Sequence, residues 1–327
     1  MNVSPRTAAG DMEICRLPQL LRNLVLVDGP ARTGKTTVSR LMSSFHGVEL
    51  ERVQEVFDNI GYMSGFGKID RDAAAAMLRA AADMDIYNLY LSRNVNCRPG
   101  DQTGILKSAR TMRYIRRMFA AEGEPAEQRI LDEQPILMQH VHYQLERIGI
   151  FFEAFADILR VVEVIRHPAD LVAASKSRFA QNLCDSLRGV YLGIRHGETA
   201  VPVFAHGWED EYLRAGPTDR VIRITHGYLV RSLETYHALA PEQRQNVRYV
   251  KYETLLNRPQ DGAAALAAFL GTETTGRTAA MTRELARRDV DIDGGRDGRL
   301  RAIRDECTPQ NFERLEEMIA LYDGIDG

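Results

Sequence analysis

Residues 23–37 read NLVLVDGPARTGKTT, and this stretch decides the fold class. Residues 23–27 form a short apolar run that ends before Gly29 and Pro30, which predicts a buried β-strand. Residues 36–45 then carry apolar side chains at helical spacing, which predicts an α-helix directly after the loop. The sequence therefore predicts a strand, a glycine-containing loop and a helix in immediate succession.

The loop itself matches the pattern GxxxxGK[ST] over residues 29–36, between a predicted strand and a predicted helix. Its glycines allow successive backbone N–H groups to point at one anion, and the start of the helix adds positive partial charge. Lys35 and Arg32 add full positive charges. The pattern predicts a site for a phosphate or sulfate group, formed by Gly29, Ala31, Arg32, Thr33, Gly34, Lys35, Thr36 and Thr37.

Apolar runs that alternate with helical patterns continue along the chain. We predict further helices over residues 72–90 and after Pro135 and Pro168, and further strands over residues 129–132, 161–165, 220–224 and 247–250. Such alternation is typical of the α/β class, in which a parallel sheet is flanked by helices. We expect an irregular segment over residues 1–20 and one domain over residues 21–327, with an insertion over the sheet at about residues 181–219.

Composition excludes several functional classes. The chain has 327 residues, of which 44% are hydrophobic and 27% charged, so disordered and fibrous proteins are excluded. A net charge of −3 argues against a nucleic-acid binder with a basic surface, although a local anion site remains compatible. The four cysteines lie far apart, which predicts free thiols and no metal site. We expect a cytoplasmic protein without a membrane span, because no apolar stretch approaches about 20 residues.

Three downstream segments carry a resemblance to a known family. They read VEVIRHPADLVAAS at 162–175, VRYVKYETLLNRPQDGAAALAAFLG at 247–271, and GGRDGRLRAIRDECTPQNF at 294–312. Together with the loop and in this order, they resemble the P-loop sulfotransferases that use 3′-phosphoadenosine-5′-phosphosulfate (PAPS). The resemblance implies transfer of a sulfuryl group to a hydroxyl or amine of a small molecule or glycan. It also implies donor-binding roles for Arg166, Ser175, Tyr252, Arg296 and Arg299.

The chain departs from the family pattern at three places. Ala174 stands where the family has its serine, and a shift of one residue to Ser175 turns a side chain by about 100° around a helix. Lys35 replaces a threonine of the family's loop, and Asp293, Gly294 and Gly295 replace an Arg-Lys-Gly triplet.

These departures keep a second interpretation open. A loop lysine is what nucleotide kinases use to hold the β- and γ-phosphates, and Asp132 and Glu133 end a predicted strand as a magnesium-binding strand would. The alternative is therefore a small-molecule kinase that uses ATP and magnesium. A regulatory nucleotide switch is a third class. The segments at 162–175 and 247–271 favour the sulfotransferase.

Sulfuryl transfer requires positive groups near the leaving phosphate and a base for the acceptor hydroxyl. Lys35 and Arg32 are the candidates for the first role. Asp132, Glu133 and Glu55 are the main candidates for the base, and each is also compatible with a helix cap or a solvated surface. Further candidates are Glu49, Glu51, His140 and His142; on a helix, the two histidines would point about 200° apart.

Basic residues also cluster over residues 93–117, a stretch that contains a single acid, Asp101. Such a block could bind an anionic acceptor or cover the donor phosphates, or it could form a solvated helix face. Trp208, the only tryptophan, is a candidate to stack on an acceptor. The basic residues are Arg93, Arg98, Lys107, Arg110, Arg113, Arg116 and Arg117.

Overall fold

The strand predicted at residues 23–27 lies inside a four-stranded parallel sheet, between strands at residues 136–140 and 159–165, and a strand at residues 247–251 pairs with the latter. The computed structural model describes residues 12–101, 104–108, 110–187, 189, 191–287 and 295–326. Its strands are β1 (Asn23–Asp28), β2 (Ile136–His140), β3 (Leu159–Ile165), β4 (Gly193–His196), β5 (Thr199–Pro202) and β6 (Val247–Lys251). Strands β4 and β5 form a separate antiparallel hairpin.

The helices pack on both faces of the sheet, as predicted for the α/β class. They are α1 (Lys35–Met42), α2 (Glu55–Gly65), α3 (Arg71–Tyr90), α4 (Thr111–Arg117), α5 (Glu124–Glu133), α6 (Gly149–Phe155), α7 (Pro168–Ser175), α8 (Glu209–Arg214), α9 (Pro217–Ala238), α10 (Pro241–Arg244), α11 (Tyr252–Asn257), α12 (Pro259–Phe269), α13 (Gly276–Ala286), α14 (Arg296–Glu306) and α15 (Pro309–Gly324).

Residues 24–27 of β1 are all apolar because both faces of the strand are covered. Leu24 and Leu26 belong to a core shared with α2, α3, α6, α9 and α15. Val25 and Val27 belong to a second core shared with α1, α11, α12 and α13. Alternate side chains of a strand point to opposite faces, so the continuous apolar run serves two cores at once.

Several predicted elements are confirmed. The helix after the loop and the helix over residues 72–90 are present as α1 and α3. The strands predicted at 161–165 and 247–250 are β3 and β6, and the helix after Pro168 is α7.

The strand predicted at residues 129–132 is wrong, because this segment is the end of helix α5. Pro125 lies in the first turn of that helix, and Glu124 and Glu127 add acidic residues there, which stabilise a helix start. Ala126 and Ile130 are its buried residues, at the i, i+4 spacing of one helix face. The local charge and spacing therefore favour the helix over a four-residue apolar run.

The helix predicted after Pro135 and the strand predicted at residues 220–224 are also wrong. The residues after Pro135 form β2, which is buried along its whole length and pairs with β1. Residues 220–224 lie inside the 22-residue helix α9, where Val221, Ile224 and Tyr228 are buried at helical spacing.

An irregular segment continues the sheet beyond β2. Val48 and Arg52 form isolated parallel bridges to β2, and the backbone N–H of Glu49 donates to the Ile136 carbonyl at 3.0 Å. The chain from residue 48 to residue 52 therefore runs in the same direction as β2. Glu49 lies at the amino end of that strand and Glu51 further toward its carboxyl end.

Residues 12–22 contain neither helix nor strand, and polar contacts fasten them to α3. The backbone N–H groups of Leu20 and Leu21 donate to Asp83 at 2.9 and 3.0 Å, and Arg16 pairs with the same carboxylate at 2.7 Å. Residues 1–11, which belong to the predicted irregular segment, lie outside the described residues.

The predicted insertion at 181–219 contains the β4–β5 hairpin, α8 and the first turn of α9.

All four cysteines are free thiols. Within the described part of the chain, no helix is both long enough and apolar enough to span a membrane.

Candidate functional site

The loop at residues 29–34 follows β1 directly, so it lies at the edge where the parallel strands have their carboxyl ends. Ligands of open α/β sheets bind at this edge. Arg32 and Thr36 are exposed on the loop, Ala31 and Thr37 are partly exposed, and the Thr33 hydroxyl donates inward to the Pro30 carbonyl at 3.0 Å. Arg32 has a φ of +73°, a value that favours glycine, so the loop holds backbone strain.

Lys35 is the first residue of α1 and is only 4% exposed. Its Nζ donates to the carbonyls of Gly29 and Pro30, the second at 3.0 Å. Burial lowers the pKa of Lys35 to about 8, although the carboxylates of Asp28 and Glu163 oppose the shift. The lysine is therefore mostly protonated at neutral pH, and it carries its charge in a site that is largely shielded from water.

Two buried acids lie under the loop. Asp28, the last residue of β1, accepts hydrogen bonds from the backbone N–H groups of Gln144 and Leu145 at 2.7 and 2.6 Å. The Tyr228 hydroxyl lies 3.0 Å from Asp28 and 2.9 Å from Glu163. Burial raises the pKa of Glu163 well above its usual range, and the neighbouring Asp28 raises it further. The Glu163 carboxyl therefore holds its proton more firmly than an exposed glutamate does.

One wall of the site joins three residues that the sequence placed at the donor. Arg166 donates from Nη1 to the Arg32 carbonyl at 3.1 Å, and its guanidinium lies 5.6 Å from the centroid of the Tyr252 ring. The Tyr252 ring packs directly on Gly34, where an added Cβ would lie 2.2 Å from the ring. Residues from three segments of the chain thus meet around the loop.

This packing makes Gly34 a sensitive position. Gly34 has a φ of +99°, so Gly34→Ala adds about 1–2 kcal/mol of backbone strain and about 1–3 kcal/mol of overpacking against Tyr252. We expect the free energy of unfolding, measured by urea denaturation, to fall by several kcal/mol. Gly47→Ala is the matched control, because Gly47 has a φ of +68° with open space around it. Equal losses in the two variants would contradict the packing role of Gly34.

The other predicted donor residues lie on α7 and α14. Ser175 is 2% exposed, and its hydroxyl has no partner among the described residues, whereas Ala174 is partly exposed. Arg296 and Arg299 contact Asp170, in the first turn of α7, at 3.2 and 2.7 Å. Residues 293 and 294, from the predicted late phosphate loop, lie outside the described residues.

Two histidine–carboxylate pairs lie on the opposite side of Lys35. His140 ends β2 and its Nδ1 lies 3.3 Å from Glu51. His142 follows the strand, with its Nδ1 3.1 Å from Asp58 and its backbone N–H donating to the same carboxylate at 2.8 Å. The ring centroids are 5.1 Å apart, so the expectation that a helix separates these histidines is wrong.

The electrostatic setting of His142 suits a general base. Burial lowers the pKa of His142 well below its usual range, and the positive charges of Lys35 and His140 lower it further. Burial raises the pKa of Asp58. His142 is therefore uncharged at neutral pH. Its Nδ1 contacts Asp58, and no described residue hydrogen-bonds its Nε2. In the tautomer whose Nδ1–H donates to an ionised Asp58, Nε2 carries the lone pair that accepts a proton.

Comparison with known proteins yields structural neighbours only. No family model matches the chain, and no curated protein matches its sequence. The sulfotransferase domain of the Synechococcus PCC 7002 olefin synthase is similar at a TM-score of 0.44 and 12% identity, covering 95% of this chain and 96% of that one. The sulfotransferase domain of the curacin biosynthetic pathway gives 0.45 and 12%, covering 92% and 98%.

Sulfotransferase STF9 from Mycobacterium avium gives a TM-score of 0.44 and 15% identity, and the match covers 94% of this chain and 78% of that one. The three neighbours carry the name of the family that the motifs resemble.

Two predicted base residues lie far from the loop. Asp132 and Glu133 end α5, where Asp132 accepts a hydrogen bond from Gln128 at 2.8 Å and Glu133 accepts one from the Tyr90 hydroxyl at 2.7 Å. Because α5 leads into the amino end of β2, these acids lie at the opposite edge of the sheet from Lys35. Their assignment as the base or as a magnesium-binding pair is wrong.

The remaining acidic candidates are divided between the two edges. Glu49 is fully buried at the amino end of β2 and pairs with Arg117 at 2.7 Å, so it is not available as a base. Glu55 is exposed in the first turn of α2, and Asp58, one turn later, is the acid that contacts His142. Asp58 is the residue that sequence reasoning missed. Asp58 follows the candidate Glu55 by three residues, so on a helix the two acids share a face. This spacing was the signal in the sequence that pointed to Asp58.

The basic block does not cover the loop. Arg110, Arg113, Arg116 and Arg117 line a cavity beside Pro135, at the amino end of β2, so their predicted contact with donor phosphates is wrong. Arg93 pairs with Glu122. Arg98 is exposed, and the side chain of Lys107 lies outside the described part of the chain.

Trp208 donates from Nε1 to the Phe204 carbonyl at 3.2 Å, and the Arg223 guanidinium lies 4.4 Å from its ring centroid.

Among the described residues there is no group of three or more histidine, cysteine, aspartate or glutamate side chains that could hold a metal ion.

Proposed function

We propose that this chain is a sulfotransferase that moves a sulfuryl group from PAPS to a hydroxyl or amine of a small molecule or glycan. The observation that carries the proposal is the convergence of Lys35 and the His142–Asp58 pair at the carboxyl edge of the sheet. One side of this edge offers cations and backbone N–H groups to the donor. The other side offers an uncharged base to the acceptor.

The donor fits the wall around the loop. Backbone N–H groups of the loop and the start of α1 suit the 5′-phosphosulfate group. Arg166 presents a guanidinium beside the loop for the 3′-phosphate, and the Tyr252 ring offers an apolar face to the adenine. Ser175 is buried and the partly exposed Ala174 has no hydroxyl, so the proposal includes no serine contact to the 3′-phosphate.

The proposed chemistry is a direct transfer. Nε2 of His142 accepts the proton of the acceptor hydroxyl as the acceptor oxygen forms a bond to sulfur. The bond between sulfur and the leaving phosphate oxygen breaks, and the electron pair stays on the phosphate. Lys35 stabilises the charge that develops there, since a cation in a desolvated site is most effective against developing charge. Asp58 orients His142 and compensates the imidazolium that forms.

Thermal shift measurements test the donor. Adenosine 3′,5′-bisphosphate without metal should raise the melting temperature by several degrees, because a ligand at 100 times its Kd stabilises by about 2.7 kcal/mol. ATP with magnesium should raise it much less. The reverse ranking, with a requirement for magnesium, would replace this proposal with the kinase alternative.

Arg166→Ala should weaken binding of adenosine 3′,5′-bisphosphate by about 10–100-fold, because a charge-assisted hydrogen bond contributes roughly 1.5–3 kcal/mol. Binding of adenosine 5′-phosphate, measured by the same calorimetric titration, should hardly change. Ser175→Ala is the comparison variant and should have little effect on either ligand, because its hydroxyl is turned into the interior. Equal losses for both nucleotides would show that Arg166 has a structural role instead.

A further inference from the structure

A cavity rich in arginine lies away from the proposed active site. This cavity of about 1060 Å³ opens at the amino edge of the sheet, beside Gly47 and Pro135. It is lined by six arginines, Arg110, Arg113, Arg116, Arg117, Arg129 and Arg277, which come from three separate parts of the chain. Strand β2 has five residues, so roughly 16 Å of strand separates this cavity from the loop edge.

The arginines of this cavity greatly outnumber the carboxylates that face them. Glu49 pairs with Arg117 at 2.7 Å and with Arg113 at 3.1 Å, and Glu133 pairs with Arg113 at 3.0 Å. Among the described residues, no carboxylate lies within the 4.0 Å of an ion pair from Arg110, Arg116, Arg129 or Arg277. Four guanidinium groups therefore surround one concave space without an acidic partner from that part of the chain.

Repulsion between these arginines lowers the stability of the fold. Arg110 is fixed by donating to the carbonyls of Val48, at 3.1 Å, and Phe45. Burial lowers the pKa of Arg110, and the charge of Arg113 and, more weakly, that of Arg277 lower it further. Like charges in a partly desolvated space destabilise the fold, and a bound anion would relieve this repulsion.

We propose that this cavity is a second anion site, which binds a small molecule carrying at least two phosphate or sulfate groups. Guanidinium groups bind such oxyanions through paired hydrogen bonds. The four arginines without a carboxylate partner carry four positive charges, which match two doubly charged anionic groups. The volume suits a ligand of nucleotide size, and Tyr90 and Met112 give the lining an apolar part. A concave site of this kind favours a soluble small molecule over a membrane surface.

Calorimetric titration with inorganic pyrophosphate, in metal-free buffer, tests the site. The Lys35→Glu background, whose folding is checked by its melting temperature, opposes anion binding at the loop, so the site is tested whether or not the proposed function is correct. We expect one equivalent of pyrophosphate to bind in this background. Arg116→Glu and Arg277→Glu, each added separately, should weaken binding by at least about tenfold, the effect of one lost charge-assisted contact.

Arg258→Glu is the matched control, because Arg258 is exposed outside the cavity and the change of charge is the same. It should leave pyrophosphate affinity within about twofold. Arg116→Gln removes the charge without reversing it, so it perturbs the fold less than Arg116→Glu does. The melting temperature of each variant shows whether it is folded. Three results would overturn the site: no binding in the Lys35→Glu background, equal losses in Arg258→Glu, or binding to phosphatidylglycerol vesicles without binding of pyrophosphate.

Discussion

Lys35→Ala should lower turnover by about 10²–10³-fold, the usual cost of removing one preorganised group that stabilises transition-state charge. Lys35 is buried beside the loop, and the proposed mechanism assigns its charge to the leaving phosphate. Donor affinity should fall much less, because backbone N–H groups and Arg166 remain. Turnover is followed as release of adenosine 3′,5′-bisphosphate from PAPS, with an acceptor found in a screen of hydroxyl compounds.

The pH dependence of kcat/KM tests whether the charge of Lys35 is what matters for activity. Burial lowers the pKa of Lys35 to about 8, and the proposed mechanism requires the protonated form. The kcat/KM of the wild type, which reports the free enzyme, should therefore fall as pH rises through about 8. Lys35→Arg keeps the charge over this range, so its profile should lose the alkaline fall. A fall that persists in Lys35→Arg would assign the titration to another group.

The loop was predictable because its determinants are local. The apolar run of β1, the two glycines, Lys35 and the start of α1 lie within 15 consecutive residues, and each favours the same conformation. Arg166 and Tyr252 lie beside the loop for a related reason. Both follow strands that are themselves short apolar runs, and parallel strands bring their carboxyl ends to one edge.

The candidate base was not predictable in the same way. Asp58 and His142 are 84 residues apart, and their contact depends on where β2 lies. Residues 129–138 hold two apolar clusters, and a strand was assigned to the first instead of the second. Because of that error, Asp132 and Glu133 were expected at the loop edge and the two histidines were expected on a helix. Parallel pairing with β1, a tertiary contact, determines which cluster becomes the strand.

His142→Ala should lower turnover by about 10²–10⁴-fold, the usual contribution of a general base, while donor binding stays intact. His142 combines an Nδ1 contact to Asp58 with an Nε2 that no described residue hydrogen-bonds. His140→Ala is the matched control, because His140 forms a similar pair with Glu51 but is less exposed, at 9% of its side chain against 18% for His142. Its effect on turnover should be much smaller.

Asp58→Asn tests whether the pair acts as a unit. The amide cannot compensate an imidazolium, and its NH₂ group can hold the histidine in the wrong tautomer, so turnover should fall by a similar factor. The double variant with His142→Ala should be no slower than either single variant, since residues that act together are not additive. Wild-type activity should rise with pH as the coupled pair loses its proton, and both variants should lack this rise. Additive losses, or an unchanged acidic limb in His142→Ala, would assign the base to another residue.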